Sequence, residues 1–449
     1  MKNNKKTDAP VRKINIRRLA LDLLESYEEG ERYVNLLLTS PAVRSLSDGE
    51  LSALTALLYT SVERKLTYDY FIGALSGRSL DKVSSRVRNI LRLGLCQILH
   101  MDSIPDFAAV NETVKLASHS GERAFVNAIL RKAVAERSAM PYPKREKNSL
   151  RYLSVYYSMP LPLVRHFAEL YGEEDTEKLL IAFSEEKKLS LTVNLKKTDR
   201  ETLLNSLSHL EPERAEYSAS GIVLGKKIPP AKIEGFSRGE FFVQNEASRI
   251  AGELLSVESG MTVIDVCAAP GGKSFAAAMR VGDGGRVYSF DIHESKLSLI
   301  RSGAERLGLD NIITIAARDA TTPDESLFGT ADRVICDVPC SGLGVLSGKP
   351  DIRYKDLEAL DTLPPLQYSI LEASAKYLKD GGILAYSTCT LNSKENREIT
   401  DRFLVEHSDF QYAEAELSGL TVGEGGLTLL PHIHGTAGFF IALLKKRRV

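Results

Sequence analysis

An apolar run from Met261 to Val266 leads straight into Cys267-Ala268-Ala269-Pro270-Gly271-Gly272-Lys273-Ser274, and no other stretch constrains the fold as tightly. The run reads as a buried parallel strand, and Phe275, Ala276, Ala277, Ala278 and Met279 read as the opening of a helix. A side-chain-poor turn between strand and helix lets a ligand approach the backbone, with the helix N–H groups facing it. Pro270 fixes φ, and Gly271 and Gly272 remove the Cβ atoms that would block close approach. The turn is not the phosphate loop G-x-x-x-x-G-K-[ST], because no glycine stands near Val266, and it is not G-x-G-x-x-G. On spacing alone it suits a nucleotide-like cofactor of open identity, or is an ordinary glycine-rich turn.

Downstream, strands and helices alternate: Arg286–Phe290, helix Glu294–Leu307, Ile312–Ala316, Arg333–Cys336, helix Asp356–Leu378, Gly382–Tyr386 and helix Lys394–Val405. This pattern predicts a doubly wound α/β domain on a parallel sheet, with Gly438–Lys445 in an antiparallel hairpin at the end of the sheet. Such sheets bind ligands outside the carboxyl ends of their strands. Four groups stand there. Asp291 ends the second strand, placed to accept hydrogen bonds from a ribose diol, and Asp319 follows the third. Asp337-Val338-Pro339-Cys340-Ser341-Gly342 follows the fourth, and Ser387-Thr388-Cys389-Thr390 the fifth. If the strands ending at Cys336 and Tyr386 are neighbours, their tips lie about 5 Å apart, and both loop thiols can face one substrate. Cys96, Cys267 and Cys336 are expected as buried apolar thiols. Cys336-x-x-x-Cys340 has metal-like spacing, but Cys336 belongs inside a strand with no His nearby, so no metal is expected.

The rest of the chain frames this domain. Its 449 residues allow about two to four domains, and 43% hydrophobic with 26% charged residues describe a globular protein. Five cysteines, an odd number over this length, argue against a disulfide framework and for free thiols in the cytoplasm. The start carries charge without the apolar core of a signal peptide, and no run is long enough to span a bilayer. The net charge of −1 conceals segregation: Lys2, Lys5, Lys6, Arg12, Lys13, Arg17 and Arg18 crowd the start, and Lys445, Lys446, Arg447 and Arg448 the end. Residues 1–11 read as a disordered basic tail. Ile14 to about Ala135 is helical in pattern, an all-α bundle of about seven helices, the most apolar carrying Ile90, Leu91, Leu93, Leu95 and Ile98. Arg86, Arg88, Arg92, Arg123, Arg131 and Lys132 either build a basic face for a polyanion or form an ordinary solvated one. Met140–Lys147 is a Pro-rich charged linker. Between 150 and 250 lies a small α+β insert with strands at Leu189–Leu195, Gly221–Leu224 and Glu240–Val243. The expected parts are therefore 12–138, 150–250 and 251–449.

Two resemblances sharpen this. Arg88–Gly94, Pro105, Ala109–Val114 and Phe125–Arg131 resemble the NusB-type RNA-binding domain. Cys267–Lys273, Asp337–Gly342, Ser387–Thr390, Pro350–Tyr354 and Gln244-x-x-Ala247-Ser248 resemble the Sun family of S-adenosylmethionine-dependent RNA cytosine-5 methyltransferases. Together they imply a NusB-like bundle, the α+β insert and a Rossmann-like class I methyltransferase domain. The implied substrate is 16S ribosomal RNA, free or in an early small-subunit particle, met by a monomer with no membrane or metal partner. The resemblance places the cofactor on Cys267, Ala268, Ala269, Pro270, Gly271, Gly272, Lys273, Asp291, Asp319 and Asp337. It makes Cys389 the nucleophile, Cys340 the aid to product release, and Asp337 the reader of the cytosine N3/N4 edge, with Lys273 orienting that carboxylate. Thr192 stands where the family usually carries Arg, and Asn245 where Asp is common. Other readings remain distinguishable. A non-catalytic RNA-binding factor would not need both cysteines, an enzyme of this type could modify another RNA, and a DNA methyltransferase would attack with the Pro-Cys thiol.

Overall fold

The computed structural model describes residues 14–30, 33–226 and 228–448. The basic tail, with Lys2, Lys5, Lys6, Arg12 and Lys13, lies outside the described residues. Two compact units divide the chain, residues 1–177 and 178–449.

In the first unit the helices Ile16–Glu28, Asp48–Glu63, Lys65–Ser76, Ser85–His100, Asp106–Val114 and Ser120–Ala135 are joined by two single-turn helices, Val34–Leu37 and Pro41–Arg44. Ser85–His100 is the central helix. The Ser84 hydroxyl caps it by accepting the Val87 N–H, and Ile90, Leu91, Leu93, Leu95 and Ile98 are all buried. Gly94 leaves room for Leu130 to pack against it, since a Cβ would come within 2.6 Å of the Leu130 side chain. The expected basic face is reduced by its own neighbours. Arg92 is 3% exposed, forks onto Asp69 at 2.6 and 2.7 Å and also pairs with Glu28. Arg86 binds both oxygens of Glu25 at 2.7 and 2.8 Å. Apolar periodicity places a helix correctly but does not say which of its cations meets a carboxylate from another helix.

The second unit begins with a four-stranded antiparallel sheet, β1 Leu189–Val193, β2 Pro212–Arg214, β3 Gly221–Leu224 and β4 Phe241–Val243, in the order β2-β3-β1-β4. Leu191 pairs with both Ile222 and Val243, and Leu203 and Leu207 pack with these strands in one apolar cluster. Strand β2 escapes sequence reading because Pro-Glu-Arg has no apolar alternation; its pairing with β3 alone makes it a strand.

The main sheet has eight strands: β5 Thr262–Asp265, β6 Arg286–Asp291, β7 Ile313–Ala317, β8 Ala331–Asp337, β9 Leu378–Thr388, β10 Phe410–Tyr412, β13 Leu427–Leu429 and β14 Phe439–Lys446. A separate hairpin holds β11 Ala415–Leu417 and β12 Leu420–Val422. The order is β10-β14-β9-β8-β5-β6-β7, with β13 also on β14. Strands β5 to β9 run parallel, and β10, β13 and β14 add antiparallel pairs. The chain leaves β5 towards β7, then returns to place β8 on the other side of β5. That reversal makes the crevice between the β5 and β8 tips a switch point, the place where such sheets bind ligands.

Two expectations are corrected. The last strand does not end the sheet, because β14 lies between β9 and β10. Its first six residues are all buried, and such a run needs covered faces and partners on both edges. The helix expected from Asp356 to Leu378 spans only Leu363–Ala375. Pro364 and Pro365 suit a first turn but cannot continue a helix from upstream, so short 3-10 turns precede it.

Candidate active site

The glycine-rich turn is held from both sides of β5. The Ala268 N–H donates to the Phe290 carbonyl at the tip of β6, and the Val266 N–H to Ile335 of β8. Gly271 has φ +112°, and a Cβ there would lie 2.4 Å from the Phe275 ring, so only glycine fits on both counts. The helix Gly272–Val281 starts immediately after it. Beside this start opens a cavity of about 350 Å³ at the switch point.

The cavity takes Cys267–Pro270, Gly272 and Lys273 from the turn, and Asp337 and Cys389 from the tips of β8 and β9. Lys273 is 8% exposed. Its Nζ donates to Asp337 Oδ2 at 2.6 Å and to Ser248 Oγ at 2.8 Å, and sits 5.3 Å from the centre of the Phe439 ring. Ser387 donates to the other Asp337 oxygen at 2.7 Å. Both carboxylate oxygens are thereby fixed, while the Asp337 side chain stays 31% exposed.

Strands β8 and β9 are neighbours, with Cys336 opposite Tyr386 and Asp337 opposite Ser387. Their loops bring Cys340 Sγ to 3.1 Å from Cys389 Sγ. The hydrogen bond from Cys340 lowers Cys389 below the usual thiol range against the opposing effect of burial, with Lys349 and Lys273 adding to the lowering. The same contact and burial push Cys340 up. Of the two thiols, Cys389 is the one that lines the cavity. Glu395, fully buried, clamps the two loops: it accepts the Ser341 N–H at 2.8 Å, Gln367 Nε2 at 2.9 Å and Asn392 Nδ2 at 3.0 Å. Sequence reading missed this carboxylate, because nothing in Ser393-Lys394-Glu395 marks it as buried.

Other expected residues lie elsewhere. Asp291 is buried at the β6 tip, accepting the His293 N–H at 2.9 Å and the Ala269 N–H at 3.3 Å, so it braces the turn. Asp319 is exposed and closes a local turn onto Thr321, whose hydrogen bonds hold its carboxyl below the usual range. Neither Asp lines the cavity, nor do Gly271 and Cys340. Cys96 and Cys336 are buried; burial pushes Cys336 up to about 12. Cys267 departs from expectation, being only partly buried at the cavity wall, where the chain passes from strand to open turn. No cluster of three metal-ligating side chains occurs among the described residues. No helix among them is long and apolar enough to cross a membrane. The Thr192 and Asn245 departures acquire roles: Asn245 caps the helix Glu246–Leu254 through the Ala247 N–H at 2.9 Å, as Asp would. Thr192 bonds to Gln244.

A mixed sheet with a glycine-cleared turn at its switch point, following a helical bundle, defines a Rossmann-like methyltransferase domain behind a NusB-like one, and the comparisons with known proteins agree. The 16S rRNA methyltransferase RsmB/F family matches residues 253–445, and the NusB family matches residues 14–135. The probable ribosomal RNA small subunit methyltransferase B of Bacillus subtilis (strain 168) is 36% identical, over 97% of this chain and 100% of its own. The protein so described from Synechocystis sp. is also 36% identical, over 96% and 100%. Among solved structures, PH0851 covers 97% of this chain and 100% of its own at a TM-score of 0.77 and 24% identity. NSun6 from Pyrococcus horikoshii, solved with SFG, covers 64% of this chain and 98% of its own at a TM-score of 0.58 and 23% identity. These two show the shared fold. The chain belongs to the 16S rRNA methyltransferase RsmB/F family and is an S-adenosylmethionine-dependent rRNA methyltransferase.

Proposed function

We propose that this enzyme methylates C5 of a cytosine in 16S ribosomal RNA through a covalent bond between Cys389 and C6 of the base. The observation that carries this reading is the thiol pair at 3.1 Å with Cys389 held low and facing the cavity. C5 of cytosine is too weak a nucleophile to attack a sulfonium methyl unaided. Addition of the Cys389 thiolate at C6 moves the electron pair towards C5, which then takes the methyl group. Loss of the C5 proton and rupture of the sulfur–C6 bond restore the aromatic base and the thiolate. Cys340, adjacent to Cys389, assists this last step.

Asp337 binds the N3/N4 edge and stabilises the protonated adduct; Lys273 and Ser387 fix its two oxygens for the task. S-adenosylmethionine, when bound, supplies the electrophilic methyl. The cleared turn Cys267–Lys273 suits its close approach, and Asp291 serves by bracing that turn and offering its remaining lone pairs. Asp319, held in its own turn, is the weakest of the expected contacts. The target base leaves its stack to enter the cavity. The NusB-like part, read as residues 12–138, grips RNA, the insert at 150–250 joins it to the catalytic part at 251–449, and the enzyme works in the cytoplasm as a monomer on free RNA or an early particle.

The two cysteines give opposite signatures. With Cys389→Ala, no methyl transfer and no adduct are expected, since nothing adds at C6. With Cys340→Ala, addition and methylation proceed but release stalls, so a protein–RNA adduct survives denaturing electrophoresis. An adduct with Cys389→Ala and none with Cys340→Ala would reverse the assignment.

A further inference from the structure

A second cavity, of about 330 Å³, adjoins the first within the same unit, and Asn245 and Ala437 stand in the walls of both. Lys187 and Lys188 line it as well, and the same two lysines line a third hollow with Leu189, Ile228 and Pro229. Shared walls put the three hollows in series, leading away from Cys389. The reaction proposed above puts one base of an RNA strand in the first hollow. The strand beside that base must then leave across the rim, and the second hollow is of a size to take a nucleotide.

Two donors in the second cavity lack a partner among the described residues, and both suit phosphate. The Ala247 N–H can only donate, so the Asn245 atom that caps the helix Glu246–Leu254 is Oδ1. Nδ2 is the atom left over, on an exposed side chain at the junction of the two cavities. An Asp here, common in the family, would cap the helix equally but bring a negative charge to the same junction. Lys187 sits in the short connection between the helix ending at Ser184 and β1. It is partly buried; burial lowers its pKa to about 8, and no neighbouring charge offsets that. The acids that share the cavity, Glu185, Glu186 and Glu246, make no ion pair with it. Glu246 accepts the Tyr217 N–H at 3.1 Å, and Lys188 is spent on Glu213 at 2.7 Å. A partly buried ammonium without a counter-ion favours an anion brought by a ligand.

We propose that this cavity holds the nucleotide next to the target cytosine, with Asn245 Nδ2 donating to the phosphate that links the two nucleotides and the Lys187 ammonium binding the next phosphate along the strand. The inference deepens the function proposed above and rests on the target base entering the first cavity. Both residues act in binding, so kcat is expected to hold while KM for RNA rises. A phosphate favours the charged ammonium, so RNA affinity falls as pH climbs through about 8.

The test is methylation by the full chain of a 16S RNA fragment that wild type modifies, with single phosphates made neutral as methylphosphonates. Asn245→Asp, which keeps the cap, is expected to raise KM for RNA about tenfold at unchanged kcat, Tm and S-adenosylmethionine affinity. That penalty shrinks on RNA whose linking phosphate is neutral, because the repulsion goes with the charge. Lys187→Met raises KM about tenfold and lowers the slope of log affinity against log salt by about 0.7. A methylphosphonate one position further out costs wild type the same and costs Lys187→Met nothing more. Lys187→Arg keeps the affinity and loses the fall near pH 8. Losses from variant and methylphosphonate that simply add at every position, or variants with the KM of wild type, would overturn the inference. So would a weakened S-adenosylmethionine affinity with KM for RNA unchanged, which would give the cavity to the cofactor. A wild-type enzyme that methylates no cytosine of 16S RNA would overturn the proposed function, and this placement with it.

Discussion

Arg92 in the helical unit and Lys273 in the catalytic unit are both buried cations on carboxylates, yet they do different work. Arg92 is 3% exposed and is held by a fork onto Asp69 and contacts to Glu28 and Asn89. Lys273 is 8% exposed and shares one carboxylate, Asp337, whose side chain remains 31% exposed at the wall of a cavity. A guanidinium offers five donors in a rigid fork and suits a lock between helices. A lysine delivers a point charge and leaves a carboxylate free to meet a ligand. The difference teaches that burial of an ion pair does not by itself mark a site. What marks it is an incompletely covered partner.

The comparison breaks or holds under substitution. Lys273→Met is expected to cut kcat by about 10²–10⁴ while shifting Tm little, because Ser387 still holds Asp337; single-turnover methylation and thermal melts separate the two readouts. Arg92→Ala should act the other way, destabilising the helical unit by about 3–5 kcal/mol by leaving Asp69 and Glu28 uncompensated. Urea unfolding would read that loss, with S-adenosylmethionine affinity unchanged. A loss of cofactor affinity in Arg92→Ala would erase the distinction between the two ion pairs.

The smallest effect is in acid. Burial tends to raise Glu28, but Arg92, Ser85 and Lys65 outweigh it and bring its pKa from 4.5 to about 2. A depressed carboxyl contributes stability in full above its unfolded value of 4.5, and that contribution fades as pH falls through about 2. Glu28→Gln should therefore lower stability at neutral pH and flatten its fall between those two values. An unchanged acid profile would mean the pair is not coupled to folding.

Elements whose signal is local were legible in the sequence. The strand, the cleared turn and the helix from Met261 to Met279 follow from apolar run, Pro-Gly-Gly and alanine-rich start, and helix Glu294–Leu307 ends at Gly308 in the left-handed conformation, as its sequence implies. Cys340 and Cys389 were legible as loop residues after strands. Less legible were residues whose meaning lies in a distant partner. Glu395 reads as one charge among several in Ser393–Arg397, yet it is buried across two loops. Arg92 reads as surface and is interior. Gln244 belonged to a quoted motif, and only the fold shows it bonded to Thr192 of strand β1.

The sequence by itself determined which residues could do the chemistry, since thiols, a carboxylate and a lysine behind glycines are properties of residue type and short spacing. Only the tertiary structure decided that they meet. The order of β5, β8 and β9 brings Lys273 to Asp337 across 64 positions and Cys340 to Cys389 across 49. Strand order is set by how whole apolar faces are buried together, a long-range balance that no local window of residues contains.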